Sequence, residues 1–220
     1  MDRFRIAIVI PAYNEAATVA GVIEAVKKIG RVFVVDDAST DETAYLAEKS
    51  GATVIRQSVN RGYDAALSEG FRAANNADVS AVITMDADGQ HLVSDVRAVA
   101  DSLVAGHHLV LGVRSGTARL AEKVFAALLR CRWGVKDPLC GLKGYHIDLY
   151  RAVGFFDRRE STGTELMIHA LNTKYKPYQL EIQVTSRVSG TPRFGNSIKA
   201  NRRIVLSMIR VLPLILGANR

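Results

Sequence analysis

Short apolar, β-branched runs alternate along the chain with stretches in which apolar residues recur at a helical period. The run Ile6-Ala7-Ile8-Val9-Ile10 lacks polar alternation and predicts a strand buried on both faces. Over residues 16–29, Val19, Val22, Ile23, Val26 and Ile29 keep a helical period, and Gly30 is placed to end the helix. The same reading predicts strands at 32–35, 54–55, 81–85 and 109–113. Helices are predicted at 41–50, 64–75 and 92–105, with Gly51 and Gly106 as stops. Strand followed by helix, repeated four times, predicts an α/β fold with a mostly parallel central sheet and helices on both faces. Ligands of such sheets bind at the carboxyl ends of the strands. After Val113 the order changes: helices are expected at 118–133 and 164–174, and strands at 142–147 and 178–185. This half is expected to complete the sheet and build the site of a second substrate.

Composition narrows the class. With 220 residues and 23% charged residues, the chain suits one globular domain and not a disordered one. Its two cysteines, Cys131 and Cys140, exclude a disulfide framework and fit a reducing compartment. Cys131 and Trp133 fall on a helical pattern and are read as core positions. The first apolar run is too short for a signal peptide, and no apolar stretch approaches the roughly 20 residues of a membrane span. A soluble, cytoplasmic protein is expected.

The net charge of +7 is concentrated at one end. Residues 1–181 hold 22 basic and 22 acidic side chains, whereas residues 182–220 hold seven basic and no acidic ones. A neutral body with a basic tail points to an anionic partner. Nucleic acid is the weakest choice, because no helix-turn-helix, zinc-finger or RNA-binding signature is present. Within the tail, Ile198, Val205, Met208, Ile209 and Leu212 can share one helical face, with Lys199, Arg202, Arg203 and Arg210 largely elsewhere. That pattern suits a helix lying on the cytoplasmic face of an anionic membrane. An ordinary helix packed on the body is the alternative.

The polar residues that can do chemistry follow the strands. Pro11-Ala12-Tyr13-Asn14-Glu15 follows the first, Asp36-Asp37-Ala38-Ser39-Thr40-Asp41 the second, and Asp86-Ala87-Asp88-Gly89-Gln90-His91 the fourth. Asn14 and Asp41 alone read as turn and capping residues. Three clusters at three carboxyl ends would converge on one crevice. Asp86 and Asp88, two apart in extended chain, share a face and can address one cation. Gln90 continues that alternation with an amide oxygen. Such oxygen donors suit Mg²⁺ or Mn²⁺, which also take oxygens from a bound diphosphate. His91 is read as shaping the loop. Neither GxxxxGK[ST] nor a GxGxxG after the first strand occurs, which excludes the two familiar phosphate fingerprints.

Together with Asn60-Arg61-Gly62, Gly112-Val113-Arg114 and Asp137-Pro138-Leu139-Cys140-Gly141-Leu142-Lys143, these motifs resemble the family 2 glycosyltransferases of the GT-A fold. Within that family they resemble the dolichyl-phosphate (polyprenyl-phosphate) mannosyl- and glucosyltransferases, over about residues 5–195. The resemblance implies a nucleotide-sugar pocket lined by Pro11, Ala12, Tyr13, Glu15, Asp36, Asp37, Asp86, Ala87 and Asp88, with Arg187 in a late loop over the diphosphate. It implies a metal on Asp86, Asp88 and Gln90, and an acceptor phosphate on Arg114 and Arg119. Residues 1–195 would form the GT-A domain, divided into a nucleotide-sugar half (1–113) and an acceptor half (114–195), with 196–220 as an amphipathic tail. The family's Asn-x-Gly-x-Gly carries Asp64 in place of the second glycine, and the usual Gly-Ser-Arg reads Gly-Val-Arg.

The expected reaction is an inverting transfer of a hexose from a nucleoside diphosphate sugar. A lipid phosphate acceptor is already ionised and needs no general base; a glycan hydroxyl does. Asp137 and then Glu165 are the candidates for that base, alongside Asp88 at the metal. A non-catalytic nucleotide-sugar-binding module is the alternative from another class.

Overall fold

The computed structural model describes residues 5–115, 119–173, 175–185 and 197–217, the side chains of 197–199 excepted. Strands β1 (Ile6–Ala12), β2 (Arg31–Asp36), β3 (Thr53–Arg56) and β4 (Ala81–Thr84) alternate with helices α1 (Val19–Val26), α2 (Thr43–Lys49) and α3 (Tyr63–Asn76). Then come α4 (Val93–Val104), β5 (Leu109–Arg114), α5 (Leu120–Trp133), β6 (Lys143–His146), α6 (Ile147–Val153), α7 (Glu165–Leu171), β7 (Tyr178–Ile182) and α8 (Ser197–Leu216). Among the described residues the strands form one seven-stranded sheet in the order β3-β2-β1-β4-β6-β5-β7. It is mostly parallel; β6 alone runs against its neighbours, pairing Thr84 with Lys143 on one side and Leu111 with Lys143 on the other.

All seven residues of β1 are buried, because both faces of the sheet are covered. Ile6, Ile8 and Ile10 point into a core shared with α1, α2 and α4. Ala7 and Val9 point into the opposite core, built with α3, α5, α6, α7 and α8. The close fit of α3 on β1 requires Gly70, where a Cβ would stand 2.2 Å from Val9 Cγ1.

Several predicted elements are trimmed or reassigned. Helix α1 is shorter than residues 16–29, because Thr18 and Val19 both donate their N–H to the Glu15 carbonyl in a turn. At its other end Lys27 is the cap, and Gly30 serves a different need: a Cβ there would meet the Ile6 carbonyl oxygen at 2.4 Å. Strand β7 ends at Ile182, and beyond it Val184 makes only an isolated bridge to His91. Trp133 packs partly buried against the core, but Cys131 is exposed, correcting its reading as a core position. Helix α6 had no counterpart in the expected elements.

The C-terminal helix presents a different face to the body from the one its apolar pattern suggested. Ala200, Ile204, Val211, Leu214 and Ile215 are buried, and the last four belong to the core with α5 and α7. Val205 and Ile209 of the expected face are exposed, and Met208 and Leu212 are half-buried. The helix carries two apolar stripes, and only one is covered. Among the described residues no helix is long and apolar enough to cross a membrane.

Candidate active site

The carboxyl ends of β1, β2 and β4 open on one cleft of about 400 Å³. Pro11, Tyr13, Glu15, Asp37, Asp86, Ala87, Asp88, Gln90, Arg114 and Arg119 line it. Ala12 and Asp36 lie behind this lining, buried at the strand ends. The residues between strands and helices are held by short polar contacts. Asn14 and Ala38 adopt left-handed φ of 53° and 61°, conformations that non-glycine residues keep only when the surroundings fix them. Asn14 receives the Thr40 N–H on Oδ1 and donates its own N–H to Ser39 Oγ, so the ends of β1 and β2 are tied together. Asp41 accepts from Thr43 and from the Ala16 N–H, as a capping residue would. Burial opposes its ionised form, but these hydrogen bonds outweigh it and lower its pKa.

Asp36 and Asp37 differ. Asp36 accepts the Ser39 N–H within its own turn. Asp37 reaches across to the next loop, with Oδ1 on the Arg61 N–H at 2.7 Å and Oδ2 on the Gly62 N–H at 2.8 Å. It thereby fixes the Asn60-Arg61-Gly62 segment at the mouth of α3. Gly62 has φ +87°, a value that suits only glycine without strain.

Asp86 and Asp88 stand at the end of β4. Asp88 is 3% exposed and accepts the Gln90 N–H on Oδ1. Asp86 is held against Gly141, where a Cβ would stand 2.4 Å from its Oδ2. The side chain of Gln90 donates from Nε2 to the Thr185 carbonyl, which leaves its amide oxygen as the available acceptor. His91 Nε2 lies 3.6 Å from Asp86 Oδ2, its side chain is 4% exposed, and neither ring nitrogen has a hydrogen-bond partner among the described residues. Unsatisfied buried nitrogens are costly, and here they sit at the edge of a carboxylate pair. Among the described residues no three His, Cys, Asp or Glu side chains form a closed metal cage. A hard divalent cation does not need one when substrate phosphates complete its coordination, so two carboxylates, an amide oxygen and an open cleft fit Mg²⁺ or Mn²⁺.

The second half of the chain places its charged groups differently. Asp137 grips Arg114 from both oxygens, at 2.7 Å to Nε and 2.9 Å to Nη2, and also accepts the Arg114 N–H. Glu122 adds a contact at 3.2 Å to Arg114 and one at 3.6 Å to Arg119. Both guanidinium groups expected to receive an acceptor phosphate are therefore already paired with carboxylates. Burial alone would raise the Asp137 pKa, but the Arg114 hydrogen bond and charge hold it below the usual carboxylate range.

Glu165, at the start of α7, is 2% exposed. Its Oε2 accepts the N–H groups of Arg158 and Arg159 at 2.6 and 3.0 Å, and its Oε1 accepts Arg159 Nε at 3.0 Å. Neither Asp137 nor Glu165 lines the cleft. The structure thus brings Asp88 to the expected site and leaves the two candidate bases as anchors of Arg114 and of the 158–159 turn. Arg187 lies outside the described residues.

The departure at Asp64 acquires a structural reason. Its carboxylate is buried and accepts the Gly163 and Thr162 N–H groups at 2.6 and 3.2 Å. Those residues belong to a loop in which Glu160, Thr162 and Gly163 have φ of 50°, 57° and 69°. Glu160 and Thr162, non-glycine residues in the left-handed region, store strain that Asp64 and α8 offset. Ser207 of α8 bonds Thr162 Oγ1 at 2.8 Å, and Arg210 reaches Glu160 at 2.6 Å. From the sheet, Lys143 Nζ donates to the Gly163 carbonyl at 2.8 Å. Burial pulls the Lys143 pKa down to about 8. Burial pushes the Cys140 thiol up to about 12, consistent with an inert cysteine.

Sequence reasoning did not place Tyr63, Thr162 or Arg203 in the cleft, which all three also line. The unusual Asp64 beside Tyr63 and the basic Arg202-Arg203 pair were the available signals.

Residues 7–121 match the model of the family described as glycosyl transferase family 2. The chain belongs to that family. A relative in Methanocaldococcus jannaschii, known only as an uncharacterised protein, is 37% identical over 117 residues. The match takes in 52% of this chain and 48% of the relative, so the chain spans about half the length of that protein. Polyprenol monophosphomannose synthase of Mycolicibacterium smegmatis is 25% identical over 218 residues, covering 88% of this chain and 82% of its own. Among solved structures, glucosyl-3-phosphoglycerate synthase from Mycobacterium tuberculosis, in complex with Mn²⁺, uridine diphosphate and glucosyl-3-phosphoglycerate, superposes with a TM-score of 0.70. It is 25% identical, and the match covers 94% of this chain and 80% of that one. The α/β fold with its mixed sheet is the GT-A fold, and the chain is a glycosyltransferase.

Proposed function

We propose that this family 2 glycosyltransferase moves a hexose, with inversion, from a nucleoside diphosphate sugar to a polyprenyl phosphate. The observation that carries the choice of acceptor is the engagement of Asp137 and Glu165. A hydroxyl acceptor needs a carboxylate to take its proton, and both candidates are committed to arginine and backbone donors with pKa values lowered below the ordinary range. For Glu165 burial acts in the opposite direction and is outweighed by hydrogen bonds from His169, Arg158 and Arg159. An ionised phosphate attacks without such a base. The names of relatives that act on polyprenyl and undecaprenyl phosphates agree with this reading.

Pro11, Tyr13, Glu15 and Asp37, with Asp36 behind them, would form the nucleoside pocket, and Asp37 would also hold the Asn60–Gly62 loop in place. Asp86, Asp88 and the Gln90 amide oxygen would hold Mg²⁺ or Mn²⁺. That cation would offset the charge developing on the leaving diphosphate. Gly141 leaves the space in which Asp86 keeps its orientation. Membrane contact belongs to the same reading, supported by the exposed Val205, Leu206, Ile209 and Leu216 on α8 beside the exposed Arg202 and Arg210.

The test is a transfer assay on the full chain with nucleoside diphosphate sugars, Mn²⁺, and polyprenyl phosphate in anionic vesicles. The donor base is chosen first by thermal shift with UDP, GDP and TDP. A glycolipid labile to mild acid and stable to alkali is expected, together with sedimentation on the vesicles. Transfer to a glycan hydroxyl with none to the lipid phosphate would overturn the proposal.

A further inference from the structure

His91 sits in the wall of the cleft, between the 86–90 loop and the start of α4. Its backbone is pinned there. His91 makes the isolated bridge to Val184, and the Gln90 carbonyl beside it accepts the Thr185 N–H at 3.1 Å. Gln90 Nε2 donates in return to the Thr185 carbonyl at 3.0 Å, and Asp95 in the first turn of α4 accepts the Gln183 N–H. The imidazole held by these ties is 4% exposed, and neither of its nitrogens has a hydrogen-bond partner among the described residues. Nε2 faces Asp86 Oδ2 at 3.6 Å, just beyond hydrogen-bond length. The Asp86 side chain is 38% exposed, and its carboxylate lies against Gly141, where a Cβ would stand 2.4 Å from Oδ2 and 2.9 Å from Oδ1.

A buried imidazole without partners is kept at a cost in stability, so a partner gained in the working state accounts for its presence. A ligand to the cation and a support for a ligand are the two roles open to it. Mg²⁺ and Mn²⁺ favour oxygen donors, and it is the Asp86 carboxylate, not the shielded ring, that is presented to the cleft. Carboxylates that bind a metal are themselves oriented by hydrogen bonds from behind. We propose that His91 is a positioning residue for Asp86: its Nε2–H donates to Oδ2 when a cation is bound and leaves Oδ1 to the ion. This role rests on the reading above that Asp86, Asp88 and Gln90 hold the cation. Closing the gap to a hydrogen bond of about 3.0 Å takes a movement smaller than one bond length. Gly141 limits the turn of the carboxylate, and His91 selects which oxygen stays behind.

The experiment is titration of the full chain with Mn²⁺, followed by the electron paramagnetic resonance of the free ion. The nucleoside diphosphate that shifts the melting temperature most is present throughout. His91→Leu should weaken Mn²⁺ binding at least about tenfold, while the metal-free affinity for the nucleotide stays unchanged. Its melting temperature should not fall, because the leucine buries no unpaired nitrogen; a merely structural histidine would give the reverse pattern. His91→Gln keeps an N–H donor at a similar reach and should restore most of the Mn²⁺ affinity. If the leucine variant does not fold, wild-type protein labelled with ¹⁵N-histidine decides, with a hydrogen-bonded Nε2–H resonance expected to appear on addition of Mg²⁺ and the nucleotide. Unchanged Mn²⁺ affinity in His91→Leu, an equal loss in His91→Gln, or no such resonance overturns the proposal. Imidazole nitrogen coupling in the spin-echo spectrum of the bound Mn²⁺ also overturns it, by making His91 a ligand. Failure of the reading beneath it would look different: no Mn²⁺ binding by the wild-type chain, or an Asp88→Ala variant that binds Mn²⁺ as tightly as the wild type.

Discussion

The carboxylates beyond β4 in the first half of this molecule and those of the second half are placed in opposite ways. In the first, Asp86 and Asp88 leave the end of β4 and face an open cleft beside an imidazole whose ring nitrogens have no hydrogen-bond partner among the described residues. In the second, Asp137, Asp157 and Glu165 turn inward and close hydrogen bonds with Arg114, Ser161 and the 158–159 backbone. On the proposed function, the same side-chain chemistry would serve ligand binding where a parallel sheet supplies the framework. It serves architecture where loops must be held together without one.

That contrast can be broken by substitution. Asp88→Ala should lower turnover by at least about a hundredfold, with a melting temperature close to that of the wild type. Retained turnover in a well-folded variant would remove Asp88 from the donor site. Asp137→Ala should act through stability, because it leaves Arg114 partly buried without its main partner; a loss of about 2–4 kcal/mol is expected in denaturant unfolding. Glu165→Ala should cost about 1–3 kcal/mol by releasing two backbone N–H groups. Asp137 and Glu165 variants that stay as stable as the wild type and yet lose only kcat would place a proton acceptor in the second half after all.

A finer probe is pH. Burial, aided by the nearby Asp157 charge, raises the Asp64 pKa from 3.8 to about 6, against hydrogen bonds from the 162–163 backbone. The folded state then keeps a proton that the unfolded chain has already released. The Asp64 contribution to stability is greatest below pH 4, declines between about pH 4 and 6, and levels off above. Its total span is at most about 3 kcal/mol. Unfolding curves of wild type and Asp64→Asn should differ by that slope; parallel curves across the window would show that Asp64 is not the buried acid described here. Gly141→Ala gives the smallest structural change, one methyl group pressed on Asp86, and should weaken Mn²⁺-dependent nucleotide binding more than it weakens the fold.

The first half was largely legible in the sequence. Buried parallel strands are continuous apolar runs, and the polar clusters that follow them mark the crevice whatever the loops do. Asn14 and Asp41 could be read as turn and capping residues because their partners are local or on the adjacent strand end. The second half was not legible to the same depth. Whether Lys143–His146 runs with or against its neighbours is not encoded in its composition, and the seven residues of α6 are too few to display a helical period. Helix α8 has two apolar stripes, and which of them packs depends on α5 and α7. The commitment of Asp137 to Arg114 is a contact across 23 positions, invisible in any local pattern.

The reversal of β6 has a consequence for how such enzymes diversify. A strand running against its neighbours begins where they end, so the chain enters β6 directly from the cleft, delivering Cys140 and Gly141 beside Asp86. Everything between β5 and β6 is therefore one excursion that leaves the cleft and returns to it, anchored at both ends by the sheet. Such an excursion can be lengthened, shortened or exchanged between homologues without altering the β1–β4 framework. On the proposed function, donor contacts would stay with that framework, and acceptor contacts would change with the excursion.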